Sequence, residues 1–128
     1  MKESDIVESA KAVVHDHELK TKAAVVDEIL LNFADDVVLI APGSHLVQGS
    51  ESLRSFYGSL LDMGSWEFTH DYSGHDVEGD SVILHGIARG SLTAPSSEPV
   101  AFSNNFLLIL RKDSSGFKIW RGAFAPSD

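Results

Sequence analysis

The sequence contains no cysteine. Disulfides, thiolate nucleophiles and thiolate metal sites are therefore excluded. Basic residues are scarce: 10 Lys and Arg stand against 19 Asp and Glu, giving a net charge of −9 and a pI near 4.9. With no basic run to neutralise phosphates, nucleic acid and anionic membrane are disfavoured as partners. No apolar run approaches the roughly 20 residues of a membrane span. The opening Met1-Lys2-Glu3-Ser4-Asp5 lacks the apolar stretch of a signal peptide. These absences lead to the expectation of a soluble cytoplasmic protein. No repeat, low-complexity tract or long linker divides the chain.

What is present fits one ordinary globular unit. The 128 residues are read as a single domain, 1–128, large enough to bury about two thirds of its unfolded surface. Hydrophobic residues make up 43% and charged residues 23%. The acids Glu3, Asp5, Glu8, Asp16, Glu18, Asp27 and Glu28 are assigned to solvated helix faces, where they serve solubility.

Helical periodicity dominates the first half. Ser4 is the expected cap of a helix whose apolar stripe is Ile6, Ala10, Val13, Val14 and His17, spaced as one face requires. A second helix is expected from Thr21 through Val25, Val26, Ile29, Leu30 and Phe33, ending at Ala34-Asp35-Asp36. Val37–Ile40 reads as a short strand, broken by Ala41-Pro42-Gly43. Ser50 is the expected cap of a third helix, with Glu51 favouring its positive end. That helix buries Leu53, Phe56, Tyr57, Leu60 and Leu61 and stops at Gly64.

The second half alternates with period two. Strands are expected over 66–77, 81–93, 100–112 and 117–125, joined by turns at Glu78-Gly79-Asp80 and Asp113–Gly116 and a loop at Ala94–Pro99. Turn lengths place His70 opposite Ala88, and Ala88 opposite Asn104. One face then carries Trp66, Phe68, His70, Tyr72, Leu84, Ala88, Asn104, Phe106, Leu108, Ile119 and Arg121 and meets the helices. The other carries Ile83, His85, Ile87, Arg89, Asn105, Leu107, Ile109, Trp120 and Phe124. It is too apolar for a sheet left in water, so a homodimer through this outer face is expected.

Three helices, a short strand among them, then a four-stranded meander: this order resembles the nuclear-transport-factor-2-like superfamily, with its SnoaL-like polyketide cyclases and ketosteroid isomerases. The resemblance rests on Phe33–Gly43, on Gly49-Ser50-Glu51-Ser52-Leu53-Arg54-Ser55-Phe56-Tyr57 and on the closing Gly116–Arg121, and it spans the whole chain. It implies a cone-shaped α+β barrel, with three N-terminal helices packed on a curved, mostly antiparallel sheet around a pocket. Ketosteroid isomerases place an aspartate base just before the proline that follows the short strand; here that residue is Ala41. Their helix-borne tyrosine has no counterpart either, since Val13 or His17 falls near its place. The Asp-Arg-Asp set of limonene-epoxide-hydrolase-like relatives is not evident. The motifs specify fold and leave function open.

The candidate chemistry therefore comes from the residues themselves. His70 and Asn104, in one row over the small Ala88, pair a near-neutral proton carrier with an amide able to hold a carbonyl oxygen. His17 and Tyr57 point toward the cone from two helices and, with Trp66, are candidate ligand contacts. Arg121 is the one cation expected on the inner face, where a guanidinium needs an anion, either a ligand or Asp35 or Asp36. His70 and His75 are expected on opposite faces of one strand, so no metal site is expected, nor any cofactor. Two readings follow: an isomerase, cyclase or hydrolase acting on an apolar or aromatic compound, or a non-catalytic binding or dimerisation module.

Overall fold

The computed structural model describes residues 2–43 and 45–127. Its elements are α1 (Glu3–Ala23), α2 (Val26–Leu30), β1 (Phe33–Ala41), β2 (His45–Gln48), α3 (Ser50–Asp62), β3 (Ser65–Glu78), β4 (Ser81–Thr93), β5 (Val100–Asp113) and β6 (Gly116–Pro126). The six strands form one sheet in the order β2-β1-β6-β5-β4-β3. All neighbours are antiparallel except β1 and β6. The sheet is open, with β2 and β3 at its edges, and does not close into the expected barrel.

The helices depart from the sequence expectation. α1 runs unbroken through Thr21, whose hydroxyl donates to the His17 carbonyl inside the helix. It ends where Ala24 turns left-handed (φ 63°) and returns its N–H to the Lys20 and Thr21 carbonyls, a helix-closing arrangement. Ser4 lies inside α1; Lys2 occupies the cap position. The second helix shrinks to five residues, because Phe33 is taken by the sheet, opposite Ile119 of β6. Ala34, Asp35 and Asp36 are strand residues. At α3 the cap is Gly49 (φ 85°), and Ser50 is the first helical residue. Strand β2, unexpected from sequence, pairs back on β1 across the Pro42-Gly43 turn.

The meander register holds: His70 faces Ala88 and Ala88 faces Asn104. Gly86 and Gly90 let β3 lie close, since a Cβ at either would meet a β3 carbonyl at 1.9–2.0 Å. Two bulges correct the faces, because each inserts one residue and reverses the alternation beyond it. In β6, Ile119 faces Leu110 but Arg121 faces Ile109. Arg121 is therefore on the outer face, not the inner one, and Phe124, opposite the buried Phe106, is on the inner face rather than the outer. In β3, the shift between Tyr72 and Gly74 puts His75 opposite Leu84, on the same side as His70. Those two histidines are not separated by face as expected, yet no group of three metal-ligating side chains exists among the described residues.

The core lies between α1, α3 and the inner face. Val14, Ile29, Val37, Leu39, Leu53, Leu84, Leu110 and Ile119 are fully buried there. α1 lies chiefly against edge strand β3, and this contact positions the site.

Candidate functional site: a glutamate–histidine pair between α1 and β3

Helical spacing puts His15 and Glu18 three residues apart on one side of α1. That side faces the free edge of β3. Glu18 Oε2 accepts the His70 backbone N–H at 2.8 Å and its Nδ1–H at 2.6 Å. Glu18 Oε1 accepts from His15 Nδ1 at 3.1 Å. The His70 side chain is only 2% exposed and that of Glu18 9%. An edge strand leaves alternate N–H groups unpaired; here one of them is met by a helix carboxylate.

Burial alone would raise the Glu18 pKa, but the hydrogen bond and charge of His70, the bond from His15 and the His70 backbone N–H outweigh it. The carboxyl is held below its ordinary value, so it is the acceptor in all three bonds. This fixes the proton of His70 on Nδ1. Its Nε2 bonds no protein group among the described residues, and the ring lines a groove of about 400 Å³ together with Glu8, Lys11, Ala12, His15, Thr69 and Tyr72. A carboxylate on one nitrogen and a second nitrogen without a protein partner is the arrangement of a general base.

Tyr72 forms the aromatic wall of the groove. Its ring stacks on His70 with planes 19° apart, and the Lys11 ammonium sits 4.6 Å from its centroid. Burial, then the charges of Glu18 and Glu8, push the phenol pKa up. It stays a neutral O–H donor at physiological pH.

Deeper inside, His17 Nε2 and Tyr57 Oη lie 3.1 Å apart, both buried. His17 packs edge-on against Phe33, Tyr57 and Phe68. Phe68 and Phe106 in turn meet His70. Burial, then the charge of His70, lowers the His17 pKa to about 3, so the ring is neutral. Burial raises the Tyr57 hydroxyl. Nδ1 of His17 is buried without a partner. Rings thus occupy the interior in which a pocket was expected.

The remaining expected site residues lie apart. Asn104 is half-buried on the inner face, one strand beyond Ala88 from His70, and outside the groove lining. Trp66 donates its indole N–H to the Leu60 carbonyl at 2.6 Å and packs on Phe102. Arg121, on the outer face, donates Nη1 to the Asp36 and Trp120 carbonyls. Ala41 is buried and brings no acid to the isomerase base position. Sequence reasoning missed Glu18, which it left among the solvated acids. The available signal was the three-residue spacing from His15, next to the inward-facing His17.

A family model described as "SnoaL-like domain" matches residues 17–121. Among solved structures, a ketosteroid isomerase-like protein from Erwinia carotovora atroseptica superposes with a TM-score of 0.82 at 17% identity, covering 94% of this chain and 95% of that one. A nuclear transport factor 2-like superfamily protein from Salmonella enterica serovar Typhimurium gives 0.88 at 10% identity, covering 99% and 94%. A protein of unknown function with a cystatin-like fold from Nostoc punctiforme gives 0.72 at 17% identity, covering 91% and 87%. No functionally curated protein matches the sequence.

Proposed function

The chain belongs to the SnoaL-like family of the nuclear-transport-factor-2-like superfamily, and we propose that on this fold it is a proton-transfer enzyme acting on a small apolar or aromatic compound. The reading rests on one observation: the 2.6 Å bond from His70 Nδ1 to the buried Glu18 carboxylate, in a residue that lines a groove and whose Nε2 has no protein partner among the described residues. His70 takes a proton from the substrate at Nε2 and returns it at another position, as an isomerase or cyclase requires. Glu18 keeps the tautomer and stabilises the imidazolium that forms. Tyr72 supplies a flat wall and a neutral hydroxyl. His17 Nε2 and the Tyr57 hydroxyl bond each other and pack behind the pair. No step is assigned to Asn104.

Deuterium exchange into a panel of small aromatic carbonyl compounds tests this. The wild-type protein accelerates exchange of at least one member. His70→Gln lowers that rate by about 100-fold or more without loss of the folded near-ultraviolet signal. A wild type with no exchange above buffer across the panel would count against the enzyme. The filled ring cluster supports a second reading, a module that only binds its ligand. In that case a compound copurifies, is seen by native mass spectrometry, and leaves unchanged.

A second copy of this chain is the proposed cover for the outer sheet face. Ile40 and Leu107 are exposed there at 53% and 44%, beside half-buried Ile83, Ile87 and Ile109. Such a patch in a monomer meets water at a cost of about 25 cal/mol for each Å². Sedimentation at micromolar concentration is expected to give a dimer, and Leu107→Lys a monomer. A monomeric wild type would refute the dimer. No helix among the described residues is long and apolar enough to cross a membrane; the cytoplasm is the proposed place of work.

A further inference from the structure

Glu18 reaches β3 with one oxygen only. Oε2 takes both the backbone N–H and the Nδ1–H of His70, at 2.8 and 2.6 Å. Oε1 meets no donor of β3 among the described residues; its partner is Nδ1 of His15, at 3.1 Å. His15 stands three residues before Glu18 on α1, so the two side chains are neighbours on the helix surface. The carboxylate is thus held from two elements, by the strand on one oxygen and by its own helix on the other.

A second acid of the same groove behaves differently. Glu8 is exposed, and its ion pair with Lys11 is 4.0 Å long. A glutamate left to itself keeps the freedom of its several torsions, and fixing them costs rotamer entropy. Bonds at both oxygens oppose that freedom where a bond at one would leave the carboxylate able to turn. Packing does not explain His15. Its side chain is 69% exposed, and its ring makes none of the aromatic contacts that fix His17 and His70. Its one hydrogen bond among the described residues is the one to Glu18.

We infer that His15 is a positioning residue of this site: by holding Oε1 it keeps Oε2 on His70, and so maintains the proton of His70 on Nδ1 and leaves Nε2 for the ligand. The inference deepens the proton-transfer reading and rests on it for its effect on rate. The bond matters here, not the imidazole, so another neutral donor of similar reach serves. His15 neither gives nor takes a proton in the reaction.

Two substitutions test this. His15→Ala removes the donor, whereas His15→Gln keeps an amide N–H and does not titrate. Both place a good helix former at an exposed helix position. The first readout needs no substrate. The Nδ1 proton of His70, assigned with His70→Gln, is expected as a low-field signal in the proton NMR spectrum of the wild type, protected by its 2.6 Å bond to a carboxylate. It broadens or vanishes through exchange with water in His15→Ala and persists in His15→Gln. A signal absent from the wild type, or unchanged in His15→Ala, overturns the inference whatever the protein catalyses. The second readout is the rate with a carbonyl compound that the wild type turns over. In His15→Ala, kcat falls about tenfold or more while KM stays within about twofold, and His15→Gln restores most of the loss. Equal losses in both variants would make His15 a proton carrier, and a rise in KM alone would make it a ligand contact; either result overturns the positioning role. A wild type inert toward every compound, with the His70 signal behaving as expected, strikes the proton-transfer reading and leaves the positioning of His70 standing.

Discussion

Glu18→Ala is expected to lower the stability of the folded protein by about 3 kcal/mol, measured as a shift in urea midpoint at pH 7 with unchanged slope. The substitution removes the acceptor of three bonds at once: the His70 backbone N–H, His70 Nδ1 and His15 Nδ1. Two of those donors belong to a residue whose side chain is 2% exposed, so water does not replace the lost partner freely. A buried donor left without an acceptor costs about 1–3 kcal/mol. Glu18→Gln distinguishes charge from shape. Its amide oxygen still accepts one bond, so about half of the loss is recovered. It does not hold an imidazolium, so the proton transfer proposed for His70 falls nearly as far as in Glu18→Ala. A change below about 0.5 kcal/mol in Glu18→Ala would show that the pair does not anchor the edge strand.

Acid is expected to destabilise the protein through His17. Its folded pKa is about 3, while the unfolded chain returns it to about 6.5. Between those values the unfolded state binds the proton and the folded state does not, so stability rises with pH. The neutral-ring contribution is complete above pH 6.5 and is lost as pH falls toward 3, at up to about 1.4 kcal/mol for each pH unit. Glu18 adds in the same direction at lower pH. Its folded pKa is depressed, so its contribution is present above the unfolded carboxyl value and is lost as pH falls from there through the folded value. The test is the difference in unfolding free energy between pH 7 and pH 5, in the wild type and in His17→Gln. Glutamine can still meet the Tyr57 hydroxyl and does not titrate. The wild type is expected to lose about 2 kcal/mol more than the variant over that interval. Equal losses would mean that His17 is not held neutral in the folded protein.

The two groups share one cause. α1 carries His17 into the core and Glu18 to the edge of β3, and neighbouring helix positions point about 100° apart. One therefore faces rings while the other reaches a strand edge. The resulting electrostatics are opposite: a base kept uncharged by burial beside an acid kept charged by donors.

The strands were legible before any coordinates. Period-two alternation and short turns define where 81–93 begins and ends, and they place His70, Ala88 and Asn104 in one row, because a turn of known length leaves few registers. The acid missing at Ala41 was legible too, since it depends only on which residue precedes Pro42. The fate of Phe33 was not. Its helical spacing after Ile29 and Leu30 is real, but pairing with Ile119 across the sheet outweighs a weak local preference. The side of Arg121 was not legible either. One extra residue at Trp120 reverses the alternation, and nothing local marks a bulge that answers to its partner strand.

What the sequence by itself determined is thus the α+β order, the meander register and the histidine on the inner face. These follow from periodicity and turn length, which act between near neighbours. Only the tertiary structure decided that Glu18 meets His70 and that His17 meets Tyr57. Each joins elements brought together by burial of the core, and the lie of α1 along β3 depends on every side chain between them rather than on any one stretch of sequence.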